Sequence, residues 1–300
     1  MADNLSWWRK FVAHPLEALG VNLAFGFFTL LPVDAASAIG GWIGRTIGPG
    51  LSVSGTARRN LARVFPELAE AERESIIRGM WDNLGRTAAE HAHLADFDPY
   101  RMDSRVEIVG AGIIDVIRDD QKPGLFFSGH MGNWELAALG MTRRGLPVHV
   151  AYRAANNPLV NKIFQRQRDA SGSEFFAKGA DGAKHALKTL GEGGHVAMLV
   201  DQKMNDGISV PLLGIDAMTA PAIAHFAIRH QCPVVPTRVE RLEGARFRLT
   251  FYPPIEAPGT GDRLADTQTF MSTVNDLLGE WIKERPEQWL WVHNRWPPVP

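Results

Sequence analysis

An α/β fold is predicted here, with a mostly parallel or mixed central sheet flanked by helices and a membrane-associated helical segment at the N-terminus. Three observations predict it. From about residue 105 onward, short β-like runs alternate with helical ones. A purely helical stretch precedes them, at about 53–94. Before that lies an uncharged run, "ALGVNLAFGFFTLLPV", at 18–33. The expected division is an anchor or interfacial segment at 1–50 and a catalytic domain at 51–300. Within the latter, 51–104 forms a helical lead-in and 105–300 the α/β core.

The uncharged run spans about 24 Å as a helix, less than the roughly 30 Å hydrocarbon core of a bilayer. Pro32 and the glycines weaken a simple spanning helix further. A cleaved signal peptide fits poorly, because residues 1–17, with His14, Pro15 and Glu17, come first. Trp7, Trp8, Arg9 and Lys10 lie on the N-terminal side. The expectation is a short span or an in-plane helix held at the interface. Several of the nine tryptophans cluster near the chain ends.

In the helical lead-in, Pro66 breaks the pattern after Phe65. Ile76, Ile77, Met80, Trp81 and Leu84 then recur at helical spacing. His91 and His93 on such a helix point apart, so they make a poor metal pair. Expected strands follow at Leu125–Ser128, Val148–Tyr152, Val196–Val200, Val234–Val239 and Phe247–Tyr252. Helices are expected near Glu135–Arg143, Pro158–Ala170, Ala180–Leu190 and Ala220–Arg229, with a last one over Leu264–Glu284.

The bulk numbers bound the function. The chain has 300 residues, is 45% hydrophobic and 22% charged, and carries a formal net charge of −1. That balance gives no argument for a nucleic-acid partner. The single cysteine, Cys232, precludes an internal disulfide, and its apolar surroundings make it a core residue rather than a nucleophile.

Chemistry gathers at the carboxyl ends of strands in open α/β sheets. The stretch "LFFSGHMGNWELAALG" puts His130 at such an end. Asn133 is expected to cap the following helix, with Glu135 in its first turn, where a carboxylate is favoured. Glu135 would then bend back, fix the tautomer of His130 and leave one ring nitrogen free to take a proton. No Gly-x-Ser-x-Gly elbow, phosphate loop, dinucleotide fingerprint or His-Glu-x-x-His is present. His130 is therefore expected to activate a substrate hydroxyl rather than a protein nucleophile.

At these residues the chain resembles a known family. "GHMGNWE" is similar to the His-x4-Asp/Glu block of the lysophospholipid acyltransferase superfamily. More closely, the chain resembles the lipid A biosynthesis acyltransferases, the late lauroyl/myristoyl type. "TARRNLARVFPEL", "YRAANNPLVNKIF", "MLVDQKMNDGISVPLLGIDAMTAPAIAHFA", "CPVVPTRV" and "PEQWLWVHNRW" resemble further blocks of that family, in order, over roughly 5–297. The glycerolipid branch carries Pro-Glu-Gly-Thr-Arg where this chain has Val200-Asp201-Gln202, which favours the lipid A-like branch.

The resemblance implies transfer of a fatty acyl group from acyl carrier protein to a hydroxyl of a lipid A precursor. It implies the cytoplasmic face of the inner membrane, no cofactor and no metal. His130 would be the general base and Glu135 its orienting acid, with no acyl-enzyme. Arg153 would bind acceptor phosphate or the developing oxyanion. Asp201 would orient Arg153 or a lysine, and Gln202 would hydrogen-bond the substrate. Thr219 is expected to cap a helix before Pro221, and Arg295 to be structural. Arg143, Arg144, Lys162, Arg166 and Arg168 are the expected basic patch for an acidic carrier protein. Competing readings are an acyltransferase for another membrane glycolipid or aminolipid, a metallohydrolase using His130, Glu135 and His91/His93, and a catalytically silent membrane-binding protein.

Overall fold

The computed structural model describes residues 7–296; the outermost residues of the two expected segments lie outside that range. A π-helical turn, Arg9–Ala13, runs directly into α1 (His14–Thr29). Together they make a 21-residue helix, long and apolar enough to cross a membrane, and about 31 Å in length. Leu16, Leu19, Leu23 and Phe27 are exposed along it, while Ala18 and Phe25 turn inward. Pro32 marks a break rather than a weak point, because α2 (Val33–Ile47) starts directly after it.

α2 is not part of a free anchor. It packs along α4 (Glu70–Glu90) through glycines: a Cβ at Gly40 would lie 2.4 Å from the Gly85 carbonyl oxygen. Only hydrogen fits there, so the two backbones touch. Ser37 Oγ donates to Glu90 at 2.7 Å and Arg45 pairs with Asp82 at 2.5 Å. Helix α3 (Ser54–Val64) precedes α4, and the chain then passes through a 3₁₀ turn, His91–Asp96.

The α/β region follows as β1 (Val106–Val109), α5 (Ala111–Asp119), β2 (Gly124–Ser128), α6 (Leu136–Thr142), β3 (His149–Tyr152) and α7 (Pro158–Arg168). It continues with β4 (Glu174–Ala177), α8 (Ala180–Gly191), β5 (His195–Leu199), β6 (Lys203–Leu212), β7 (Ile215–Thr219) and α9 (Ala222–His230). It ends with β8 (Val234–Arg241), β9 (Phe247–Phe251) and α10 (Arg263–Glu284). Seven strands form one sheet in the order β1-β9-β8-β2-β5-β3-β4. All neighbours are parallel except β8 and β9. The five expected strands correspond to β2, β3, β5, β8 and β9. The antiparallel hairpin β6–β7 stands apart and packs on α10, where Asn275 Nδ2 donates to the Pro211 carbonyl at 3.0 Å.

β2 is buried along its whole length, which is why it reads as a continuous apolar run rather than an alternation. Successive side chains still point to opposite faces. Leu125 and Phe127 join one core with Val234, Leu278 and Trp281, and Phe126 joins the other with Val235, Leu139 and Leu249. Cys232 is buried and burial pushes its thiol up to about 11, as befits a core residue.

Candidate active site

Register brings the site together. Ser128 of β2 pairs with Leu199 of β5 in parallel, so the residues two positions beyond each strand end, His130 and Asp201, emerge side by side. His130 Nδ1 lies 2.8 Å from Asp201 Oδ1, and the His130 backbone N–H donates to Oδ2 at 2.9 Å. The Trp289 indole N–H donates to the same Oδ2 at 2.9 Å. Asp201 is fully buried. Burial alone would raise its pKa, but the His130 charge, the three N–H donors and their geometry outweigh it and hold the carboxyl well below the usual range. A carboxylate there accepts from Nδ1–H and leaves the lone pair on Nε2. The Gln202 amide donates to that Nε2 at 3.3 Å and lies 3.0 Å from His293 Nε2.

Glu135 does not orient His130. The turn after β2 runs through Gly132 at φ +55, where a Cβ would meet the Val239 carbonyl oxygen at 2.6 Å. Helix α6 starts only at Leu136. Glu135 is directed instead to Arg168 of α7, which grips it with two bonds of 3.0 and 2.7 Å. Glu135 is buried, and this guanidinium more than offsets the burial, so its pKa is lowered. Asn133 is likewise not a cap: its amide donates to Glu90 at 3.0 Å, inside a buried network in which Arg241 also pairs with Glu90. Asp201, expected to steady Arg153 or a lysine, is the acid that holds His130.

The two side chains open on a cavity of about 350 Å³. Its mouth carries His130, Gln202, Arg153 and Lys178; its depth is lined by Phe126, Ala138, Met141, Val150, Phe164 and Met198. Glu135 and Arg168 lie in the same wall. A polar mouth over an apolar depth can admit a hydrocarbon chain and hold its polar end at the base. Arg153 is exposed at the end of β3 and Lys178 follows β4, donating from Nζ to the Leu199 carbonyl at 3.1 Å. Desolvation lowers the Lys178 pKa, with Asp201 opposing and Arg153 adding to the fall.

Three contributors were absent from the sequence reading: Trp289, His293 and Lys178. The segment 288–290 folds back against 130–132, with Gly132 N–H donating to Gln288 and Leu290 N–H to the His130 carbonyl. That pairing sets Trp289 under Asp201 and brings the His293 ring 5.7 Å from His130. The signal available was the block "PEQWLWVHNRW" itself, dense in N–H-bearing rings.

Other expected residues resolve as follows. Thr219 is no helix cap; it ends β7 and its hydroxyl accepts from buried Arg295 at 2.7 Å, a structural bond. His91 stacks on Phe25 and lines the cavity, while His93 bonds Asp96 and the Phe28 carbonyl. The pair does not converge on a common point, which removes the geometry a shared metal ion would need. In the expected basic patch, Arg144 is paired with Asp115 and Arg168 with Glu135, while Lys162 and Arg166 are exposed on α7.

An imidazole held by a buried acid at the carboxyl ends of a mostly parallel sheet, beside a largely apolar cavity, is the arrangement of an α/β enzyme site. The chain belongs to the bacterial lipid A biosynthesis acyltransferase family, whose family model matches residues 10–297. It is 28% identical over 280 residues to the lipid A biosynthesis myristoyltransferase of Escherichia coli (strain K12), covering 91% of this chain and 84% of that one. It is 29% identical over 253 residues to the lauroyltransferase of the same organism, covering 81% and 78%. To its palmitoleoyltransferase it is 25% identical over 281 residues, covering 90% and 87%.

Proposed function

We propose that this acyltransferase moves a fatty acyl group from acyl carrier protein to a hydroxyl of a lipid A precursor, at the cytoplasmic face of the inner membrane. The single observation that carries the mechanism is the His130–Asp201 pair at the mouth of the apolar cavity. His130 Nε2 takes the proton of the acceptor hydroxyl as its oxygen attacks the thioester carbonyl. Asp201 holds the ring and stabilises the imidazolium. The C–S bond then breaks, the carrier thiolate takes the proton back from His130, and the ester is released without an acyl-enzyme. A positioned base of this kind contributes about 10²–10⁴-fold.

Gln202 supplies an amide donor beside Nε2, fit to steady the oxyanion. Arg153 and Lys178 at the mouth suit a phosphorylated acceptor. Exposed Lys162 and Arg166 on neighbouring α7 suit the acidic carrier protein. The apolar outer face of α1 supports membrane attachment.

The test supplies labelled acyl carrier protein thioester and purified lipid A precursor to wild type and to His130→Ala in detergent. His130→Ala is expected to lose transfer while keeping its circular dichroism and thermal midpoint. Full activity of that variant would refute the mechanism. Transfer by wild type to another glycolipid, and not to lipid A precursor, would reassign the acceptor.

A further inference from the structure

At the opposite end of the sheet from His130, three ligand-type side chains converge. His149 opens β3, Glu174 opens β4, and the two are register partners in the parallel ladder. His185 reaches them from α8, its ring held 4.7 Å from that of Phe176. His149 Nδ1 and His185 Nε2 face each other at 3.1 Å. One Glu174 oxygen lies 3.4 Å from His149 Nδ1, and the other lies 3.6 Å from His185 Nε2. One ligand atom from each residue falls within 4.8 Å of the others.

We propose that His149, Glu174 and His185 form a binding site for a divalent transition-metal ion of the Zn²⁺ class. Ligand atoms each about 2.0–2.1 Å from a tetrahedral zinc lie about 3.3–3.4 Å apart. His149 Nδ1 and His185 Nε2, 3.1 Å apart, are close to that edge length, and Glu174 presents Oε2 to the first at 3.4 Å and Oε1 to the second at 3.6 Å, so its carboxylate is placed to supply the third ligand. Two imidazoles and one carboxylate suit zinc rather than magnesium or calcium, which prefer all-oxygen sets. The two rings, on β3 and α8, are partly buried, their nitrogens already face each other, and the more exposed Glu174 joins them from β4.

The location gives the ion a structural task. β4 is an edge strand paired only with β3 in the sheet order. Phe175, next to Glu174, lines the cavity wall, and Lys178, just past the strand's far end, lies at its mouth. An ion at Glu174 would fasten β4 to β3 and α8 about 13 Å from Lys178, four residues away along the strand. It would be too distant to touch the acyl thioester, so it is separate from the general-base chemistry.

The experiment is equilibrium dialysis of the full-length, tag-free protein in detergent against Zn²⁺ alone, followed by elemental analysis and a thermal melt. Wild type should retain about one Zn²⁺ per chain and show a raised melting midpoint. His185→Asn and Glu174→Gln should lose affinity by more than the roughly 100-fold that an outer-shell change costs. Their melts should no longer respond to Zn²⁺, while their midpoints without metal stay close to wild type. Failure of wild type to bind Zn²⁺, or equal binding by the double variant His149→Asn/His185→Asn, would overturn the proposal. Neither result depends on acyl transfer.

Discussion

Replacing Asp201 with Asn separates the two acids that compete for the role of holding His130. The Asp201 carboxylate accepts three N–H groups: the His130 ring on Oδ1, and the His130 backbone and Trp289 indole on Oδ2. Asn keeps one oxygen, enough for the pair of donors on Oδ2. Its NH₂ group then faces Nδ1 at about the same 2.8 Å. Two donors cannot share that line, so Nδ1 must give up its hydrogen and Nε2 must carry it. The nitrogen facing the substrate becomes a donor and stops being a base. The same exchange in serine proteases costs about 10⁴ in kcat, or about 5.5 kcal/mol. Asp201→Asn is therefore expected to lower kcat about 10³–10⁴-fold with little change in KM for the acyl donor. Glu135→Gln leaves the tautomer of His130 intact and instead weakens the bidentate grip of Arg168. Its main effect falls on stability, up to about 3–5 kcal/mol for opening a buried pair. The assay is steady-state transfer with both variants, alongside denaturant unfolding. Near-wild-type kcat in Asp201→Asn, with a 10³-fold loss and unchanged stability in Glu135→Gln, would refute the assignment. The roughly 10³ threshold is the middle of the range for a positioned base.

Three further outcomes follow from the same geometry. Asp201 has a folded pKa below its unfolded value of about 3.9, so its stabilising contribution is complete above that pH and lost as pH falls further; acid titration of unfolding should be steeper for wild type than for Asp201→Asn below about pH 4. Ala138 lies in the cavity wall, and Ala138→Phe should move donor preference toward shorter chains, with kcat/KM for the longest donor falling about 10–200-fold per excluded methylene, read in competition between thioesters. Arg241→Ala takes the guanidinium from buried Glu90 and leaves it only the neutral donors Ser37 and Asn133, which should cost about 3–5 kcal/mol in urea unfolding.

How far the sequence could be read varied with the kind of signal. Strands β2 and β5 announced themselves because each is buried on both faces and carries an uninterrupted apolar run, whereas β8 was marked by Val234, Val235 and Val239 around a buried Thr237 and Arg238. β4 did not, since an edge strand of four residues carries only Phe175 and Phe176 as apolar signal. The hairpin β6–β7 was hidden by Asn205, Asp206 and Gly207 inside a strand exposed over much of its length. His130 was legible from its place after a strand. Its partner was not, because the choice between Glu135 and Asp201 is made by register across β2 and β5, seventy-one residues apart, and by a left-handed glycine in the turn. His-x4-Glu spacing drew attention to the nearer acid, whereas a parallel ladder joins residues by strand position. Trp289 and His293 lie in a ring-dense block that stands out in the sequence, but its return against 130–132 is a long-range pairing that the block does not specify.

Asn157 binds more than its own helix. Its side-chain oxygen accepts from Leu159 N–H to start α7, and its amide donates to the His14 carbonyl and to Glu17 at the head of α1. One residue therefore couples the long apolar helix to the element whose Arg168 sits in the cavity wall. On the membrane attachment proposed above, that tether would tie the height and tilt of the cavity's rim to those of the apolar helix, so that loosening Asn157 would uncouple the two.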